Sequence, residues 1–375
     1  RNMRYNLLNK IWQVQGGSAM LKTAPAVFAV GTDYQIMVQV TRESMFWVKV
    51  GDKCYYDESN GILRSLSEHH RAIVPMAELD KAGKYTVCVH PLIERKPYDT
   101  ETEPVQEFEF EFRPVPEKGT VRAYHISDAH NRIEEPLRAA RVFGDIDFLI
   151  LNGDVIDHSG DPSKFSNIYE ICSELTGGHV PTIFSRGNHD MRGNYAERFA
   201  EYTPNQLGRT YYTFRLGRIW GILMDCGEDK PDNHPVYAGF VAFDEYRLEQ
   251  VEWLKGVLKS KAFRKAKNRI VMLHIPPAVE AMKEQNEKQV ASMLEWHGNA
   301  HWGEILLPLL NKADIDLMIS AHQHRFGFYT PQKGVIEFPL VINDNNSAMF
   351  VTSNDDGVSV KITNLEGKEL MNRTF

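Results

Sequence analysis

Six consecutive residues, Ser185-Arg186-Gly187-Asn188-His189-Asp190, set a carboxamide, an imidazole and a carboxylate side by side at a glycine-marked turn. Gly, Asn and Asp are ordinary turn formers, so a polar turn would account for them if nothing else in the chain answered. Other groups do answer. Short apolar runs at 121–126, 148–151, 182–184, 270–273 and 317–319 are followed by Asp128 and His130, Asp154 and Asp157, Asn188 and His189, His274, and His322 and His324. In α/β folds ligands bind beyond the carboxyl ends of the strands, so these groups are predicted to converge on one crevice. Singly, Asp154 reads as a turn former and His274 as a structural histidine. Five strand ends in succession read differently, because burying that many ionisable groups together is prohibitive unless cations neutralise them.

The donor types narrow the cations. Mixed imidazole, carboxylate and amide ligands suit Mn, Fe, Co, Ni or Zn better than Mg or Ca, which prefer oxygen shells. The donors are too many for one tetrahedral ion. Two divalent transition-metal ions roughly 3.5–4 Å apart, sharing a carboxylate, suit in-line displacement at phosphorus.

Ser127-Asp128-Ala129-His130, Gly153-Asp154-Val155-Ile156-Asp157, Gly187-Asn188-His189-Asp190, His274-Ile275-Pro276-Pro277 and Ala321-His322-Gln323-His324 resemble, in order, the five signature blocks of the calcineurin-like metallophosphoesterases. The resemblance runs from about Thr120 to Phe350. It implies one ion held by Asp128, His130 and His324, a second held by Asn188, His274 and His322, and Asp154 bridging them. It also implies attack on phosphorus by a metal-bridging hydroxide, with His189 protonating the leaving alkoxide and the Asp157 carboxylate orienting that imidazole. The implied activity is hydrolysis of phosphodiester or phosphomonoester bonds in a small phosphorylated molecule. The competing readings are a catalytically silent binding module and a nuclease. No ligand of the five blocks has been lost, which weighs against the first. Protein phosphatases of the superfamily carry an Arg where this chain has His158, and purple acid phosphatases carry a Tyr at Asp157 and a Gly at His130. Neither phosphoprotein specificity nor iron–tyrosinate chemistry is therefore expected. His158, Arg186, Arg192 and Arg325 are candidate phosphate contacts beside the blocks. Trp296, His297, His301 and Trp302 are a candidate aromatic cap over the crevice.

The elements that would position these groups fall into two parts. From Ala24 to Arg113 the chain alternates β-branched and aromatic residues with polar ones, broken by Gly and Asp, which predicts an antiparallel sandwich. Tyr85, after a turn and ahead of an alternating run, resembles the corner of immunoglobulin and fibronectin type III sandwiches. Pro and Gly at 113–119 place a boundary between an all-β domain at 1–116 and a phosphoesterase domain at 117–375. After Thr120 short apolar strands alternate with helical spacing at 136–143, 165–175 and 243–258, an α/β grammar. The tail from 335 to 375 returns to strands, expected to complete a second layer. The expected fold is a two-layer β-sandwich flanked by helices, with a smaller immunoglobulin-like domain ahead of it.

With 42% hydrophobic and 25% charged residues among 375, and a formal charge of -7, the chain has the composition of a globular protein with no general affinity for nucleic acid or anionic membranes. No apolar run approaches the ~20 residues of a membrane helix. Cys54, Cys88, Cys172 and Cys226 are widely spaced, so reduced, buried thiols are expected. The segment from Arg4 to Gln15 lacks the apolar core of a secretory signal, which makes a cytoplasmic protein the expectation, with a signal cleaved ahead of Arg1 as the alternative.

Overall fold

A computed structural model describes residues 19–296 and 300–375. The segment from Arg4 to Gln15 and His297 of the aromatic cluster lie outside the described residues. Two β-sheets face each other at the centre. One has nine strands among the described residues, in the order Glu369–Thr374, Gly357–Asn364, Ser347–Asn354, Val121–Ile126, Phe148–Asn152, Thr182–Ser185, Ala26–Val30, Asp33–Gln39 and His69–Pro75. The other has six: Tyr212–Leu216, Ile219–Leu223, Asn268–Met272, Leu317–Ser320, Leu340–Ile342 and Gly327–Tyr329. The strands that carry the polar blocks run parallel to one another within each sheet. Parallel strands lie buried on both faces, which is why 148–152 and 182–185 are apolar runs without alternation. Their carboxyl ends all open on one edge of the sandwich.

Leu149, Leu151 and Ile183 of the first sheet and Leu223, Met272 and Ile319 of the second share one buried core. A second core fills the outer face of the six-stranded sheet, where Val251 and Leu254 of the helix Phe243–Lys259 and Leu306 and Leu310 of the helix Ala300–Leu310 cover Val271 and Met318. The expected fold class, a two-layer sandwich flanked by helices, is the one observed.

Among the described residues, the first part of the chain is all-β apart from the short helix Met76–Ala82, and its strands do form two layers. Its second layer is the antiparallel set Gln106–Glu111, Lys84–Glu94, Ser44–Val50 and Lys53–Tyr56. Its first layer is not a separate sheet. Ala26–Val30 pairs in parallel with Thr182–Ser185, Phe28 opposite Thr182, so 26–30, 33–39 and 69–75 extend the nine-stranded sheet. Residues 113–119 are therefore where the chain crosses between layers rather than a gap between two cores, and Phe28, Tyr85 and Phe110 belong to the same core as Leu149. The Tyr85 hydroxyl donates not to its own sandwich but to the Gly178 carbonyl at 2.9 Å, across that junction.

Two further expectations are corrected. The tail divides between layers: Leu340–Ile342 joins the six-stranded sheet, while 347–374 extends the nine-stranded one through the pairing of 347–354 with 121–126. All four cysteines are free thiols and three are buried, but Cys54 lies exposed on a strand. No described helix is long and apolar enough to cross a membrane.

Candidate metal centre

Three of the five strand ends turn through left-handed backbone to present their polar groups. Asp128, His130, Asp154, His322 and His324 all have left-handed backbone, with φ between 45° and 67°. A non-glycine residue held there costs on the order of 1–3 kcal/mol, and such strain gathers where surrounding structure enforces a functional geometry. Here the first two loops are zipped together: Asp128 N–H donates to Gly153 O at 3.1 Å, His130 N–H to Asp154 O at 2.9 Å and Asn131 N–H to Val155 O at 3.1 Å. The second sheet is tied to the first by His274, whose Nδ1 donates to Asn152 O at 2.7 Å, and by His322 N–H, which donates to Asp128 Oδ2 at 3.2 Å. Fixing the proton on His274 Nδ1 leaves Nε2 as a lone-pair donor aimed into the crevice.

Those contacts bring six of the seven predicted ligands into two clusters. The donor atoms of Asp128, His130 and His324 lie within 4.8 Å of one another, and so do those of Asp154, His274 and His322. His324 Nε2 is 3.2 Å from Asp128 Oδ1 and 3.1 Å from His130 Nε2, while His274 Nε2 is 3.1 Å from Asp154 Oδ2 and 3.7 Å from Asp128 Oδ1. Asp128 Oδ1, Asp154 Oδ2, both side-chain polar atoms of Asn188, and His274 Nε2 are buried without a hydrogen-bond partner. So many unsatisfied donors and acceptors facing one volume are expensive in an apolar interior and fit cations. Two glycines keep the volume open. A Cβ on Gly153 would sit 2.4 Å from His274 Nδ1, and one on Gly187 would sit 2.2 Å from Asp154 Oδ1.

The electrostatics agree. Burial alone would raise the Asp154 carboxyl, but the neighbouring His274, with His189 and His322, holds it below the usual carboxylate range. Burial alone would lower His274, and the carboxylates of Asp154 and Asp128 outweigh it and raise the imidazole above its ordinary value. Burial, then the charge of Asp154, lifts Asp190 well above a normal carboxylate. The crevice floor thus carries an excess of negative charge that stabilises positive charge.

The sequence pattern of the calcineurin-like phosphoesterases matches residues 121–326. This chain belongs to that family. Among curated relatives, this chain is 22% identical over 183 residues to a serine/threonine-protein phosphatase, CPPED1, of Danio rerio, covering 48% of this chain and 54% of the relative. It is 29% identical over 133 residues to a probable cyclic nucleotide phosphodiesterase of Rhodopseudomonas palustris, covering 34% and 46%. The chain spans about half the length of the curated relatives it matches. Among solved structures, the yellow lupin purple acid phosphatase PPD1 aligns with 95% of this chain and 75% of its own at a TM-score of 0.62 and 13% identity. PhoD aligns with 96% and 90% at 0.57 and 11%. At such identities the likeness is one of fold, and it extends through the N-terminal strands.

Around this candidate metal centre the remaining predicted residues sort themselves by contact. His189 stands at the mouth, its Nδ1 donating to the Asp157 backbone carbonyl at 2.8 Å. The Asp157 carboxylate, expected to orient that imidazole, is 3.7 Å from the same nitrogen, and the main chain has taken its place. Arg186 is tethered inward, its Nε donating to the fully buried Asp225 at 2.7 Å. His158 is exposed, and its Nδ1 accepts from Gly160 N–H at 3.0 Å within its own turn. Arg325 is exposed on the loop after the last ligand. Trp302 is buried in the core behind the six-stranded sheet, so it cannot cap the crevice, and His301 is exposed.

Two residues gain roles. Asp190, open to either reading from the sequence, is fully buried and accepts from Gly187 N–H at 2.8 Å and Asp154 N–H at 3.1 Å, bracing the Asp154 backbone from behind. Arg192 is clamped by Glu228 through two hydrogen bonds of 2.8 Å, leaving Nη1 to donate to His189 Nε2 at 3.0 Å. Its anchor is 36 residues away and fixed in space by Arg247, whose Nη2 donates to Glu228 O at 2.9 Å. Sequence spacing carries no sign of it.

Proposed function

We propose that this chain is a two-metal phosphohydrolase acting on phosphodiester or phosphomonoester bonds of small phosphorylated molecules. The observation that carries the reading is the clustering of Asp128, His130 and His324 and of Asp154, His274 and His322, where Asp128 Oδ1, Asp154 Oδ2, His274 Nε2 and the side-chain amide of Asn188 are buried without a hydrogen-bond partner. Asp128, His130 and His324 would hold one divalent ion and Asn188, His274 and His322 the other, with Asp154 shared. When bound, the two ions supply a water nucleophile at neutral pH and neutralise charge on the phosphoryl group.

The protein's own groups do the rest. His189, oriented by the Asp157 carbonyl, offers Nε2 toward the crevice as the site from which a proton passes to the leaving alkoxide. Arg192 is the cation held at that point, and a phosphate oxygen competing for Nη1 would release His189 Nε2 to take up its proton. Its guanidinium is one-third exposed and pre-positioned by Glu228, so little side-chain entropy is lost on contact. Small substrates are favoured because the net charge of -7 offers no general attraction for long polyanions.

The test is metal content and turnover together. Purified protein is expected to hold close to two transition-metal ions per chain and to cleave an aryl phosphodiester or monoester, with Asp154→Ala abolishing both. Fully loaded wild-type protein inert on both substrates would refute the proposal.

A further inference from the structure

The second carboxylate of the Gly153–Asp157 block serves the metal ligand His130. We infer that Asp157 is a positioning residue for His130, while its backbone carbonyl separately orients His189. This rests on the two-metal reading above.

Four observations lead there. His189 has one N–H available at Nδ1, and the Asp157 carbonyl receives it at 2.8 Å, so the carboxylate 3.7 Å away is not needed for that ring. His130 presents Nε2 to the centre, 3.1 Å from His324 Nε2 and 3.9 Å from Asp154 Oδ2. To donate a lone pair there it must carry its proton on Nδ1, and that atom is buried without a hydrogen-bond partner. The acceptor facing it is Asp157 Oδ1 at 3.4 Å, on a half-exposed carboxylate with room to turn the remaining few tenths of an ångström.

The chain fixes this juxtaposition. The backbone bonds from 128, 130 and 131 to 153, 154 and 155 set the register of the two loops, and Asn167 Nδ2 donating to Asn131 Oδ1 at 2.8 Å holds the end of the first. His130 and His189 then pack edge to face, ring centres 4.6 Å apart, with Asp157 beside both. A carboxylate on the far nitrogen of a ligating histidine fixes its tautomer and raises its basicity, and losing such a partner costs about 10–100-fold in metal affinity.

The experiment is calorimetric titration of chelator-stripped full-length protein with Mn²⁺, comparing wild type, Asp157→Asn, His130→Ala and the double variant, with far-UV circular dichroism confirming the fold of each. The expected result is two ions on wild type and one of them weakened about 10–100-fold by Asp157→Asn. The double variant should bind no worse than His130→Ala alone, because the two side chains act in series. With metal saturating, the dependence of rate on leaving-group acidity should stay at the wild-type slope in Asp157→Asn and change in His189→Ala. Asp157→Asn binding both ions as tightly as wild type, or sharing the His189→Ala slope, overturns the inference. Wild type binding no ion overturns the two-metal reading and this inference with it.

Discussion

Adding one methyl group at Gly187 should disable the metal centre while leaving the fold standing. A Cβ there would lie 2.2 Å from Asp154 Oδ1 and 2.4 Å from Asp154 N, whereas real Cβ atoms essentially never come within 3.0 Å of a neighbour. The carboxylate must therefore retreat by about 0.8 Å. It cannot do so freely, because Oδ1 accepts from His189 N–H at 2.8 Å and the Asp154 backbone is held by Asp190. Overpacking of this kind costs about 1–3 kcal/mol. On the proposal that two ions would share this carboxylate, its displacement by most of an ångström should lower affinity on the scale seen when a ligand's support is removed, about 10–100-fold. The assay is Mn²⁺ titration of stripped Gly187→Ala beside Gly256→Ala, whose added Cβ meets nothing within 4 Å on the helix Phe243–Lys259. The control should bind as wild type and melt at the same temperature or slightly higher, since Ala outranks Gly in a helix by about 1 kcal/mol. Gly187→Ala with wild-type affinity for both ions would show that Asp154 is not held where the argument places it.

Tyr85→Phe removes the donor to Gly178 O and is expected to destabilise the whole chain by about 1–3 kcal/mol, the cost of stranding a buried carbonyl. Because 26–30 and 182–185 share a sheet, urea unfolding followed by circular dichroism and by tryptophan fluorescence should give coincident curves, and a separate early transition of the N-terminal strands would contradict this. Acid should also loosen the junction. Burial, with Lys22 nearby, lowers His69 from 6.5 to about 4, and Gln39 donates to its Nε2 at 2.7 Å. The unfolded chain therefore binds that proton more readily than the folded one, so the contribution is complete above pH 6.5 and is lost as pH falls toward 4, by at most about 3 kcal/mol. Melting temperatures of wild type and His69→Gln measured from pH 7.5 to 4 should differ in slope across that window, and parallel curves would count against it.

What the sequence disclosed was what is local. The ligands were legible because each follows an apolar run and sits in a short block, so chain order alone put Asp128, Asp154, Asn188, His274 and His322 at strand ends. Arg192 was visible only as an Arg near a turn, since its meaning depends on Glu228 across a loop. Arg186 looked the same from the sequence and proved to be a structural partner of buried Asp225. Spacing also cannot tell a side chain's service from its own backbone's, and His189 Nδ1 donates to the Asp157 carbonyl at 2.8 Å with the carboxylate 3.7 Å away. The shared sheet did leave one signal. Ala26–Val30 is Ala-Val-Phe-Ala-Val, apolar at every position and buried at every position, the mark of a strand covered on both faces rather than of a half-solvated sandwich strand.

The parallel pairing of 26–30 with 182–185 also sets an order of events at the ribosome. Phe28 waits for Thr182, which is made some 150 residues later, so the N-terminal sandwich emerges first and stands with one long apolar edge unpaired. Until the 182–185 strand arrives, that edge is open to any other extended segment, including a neighbouring nascent chain. Slow long-range pairing of this sort leaves folding exposed to aggregation. Expression that favours slower synthesis or lower temperature should therefore raise the soluble yield more than any change near the metal centre.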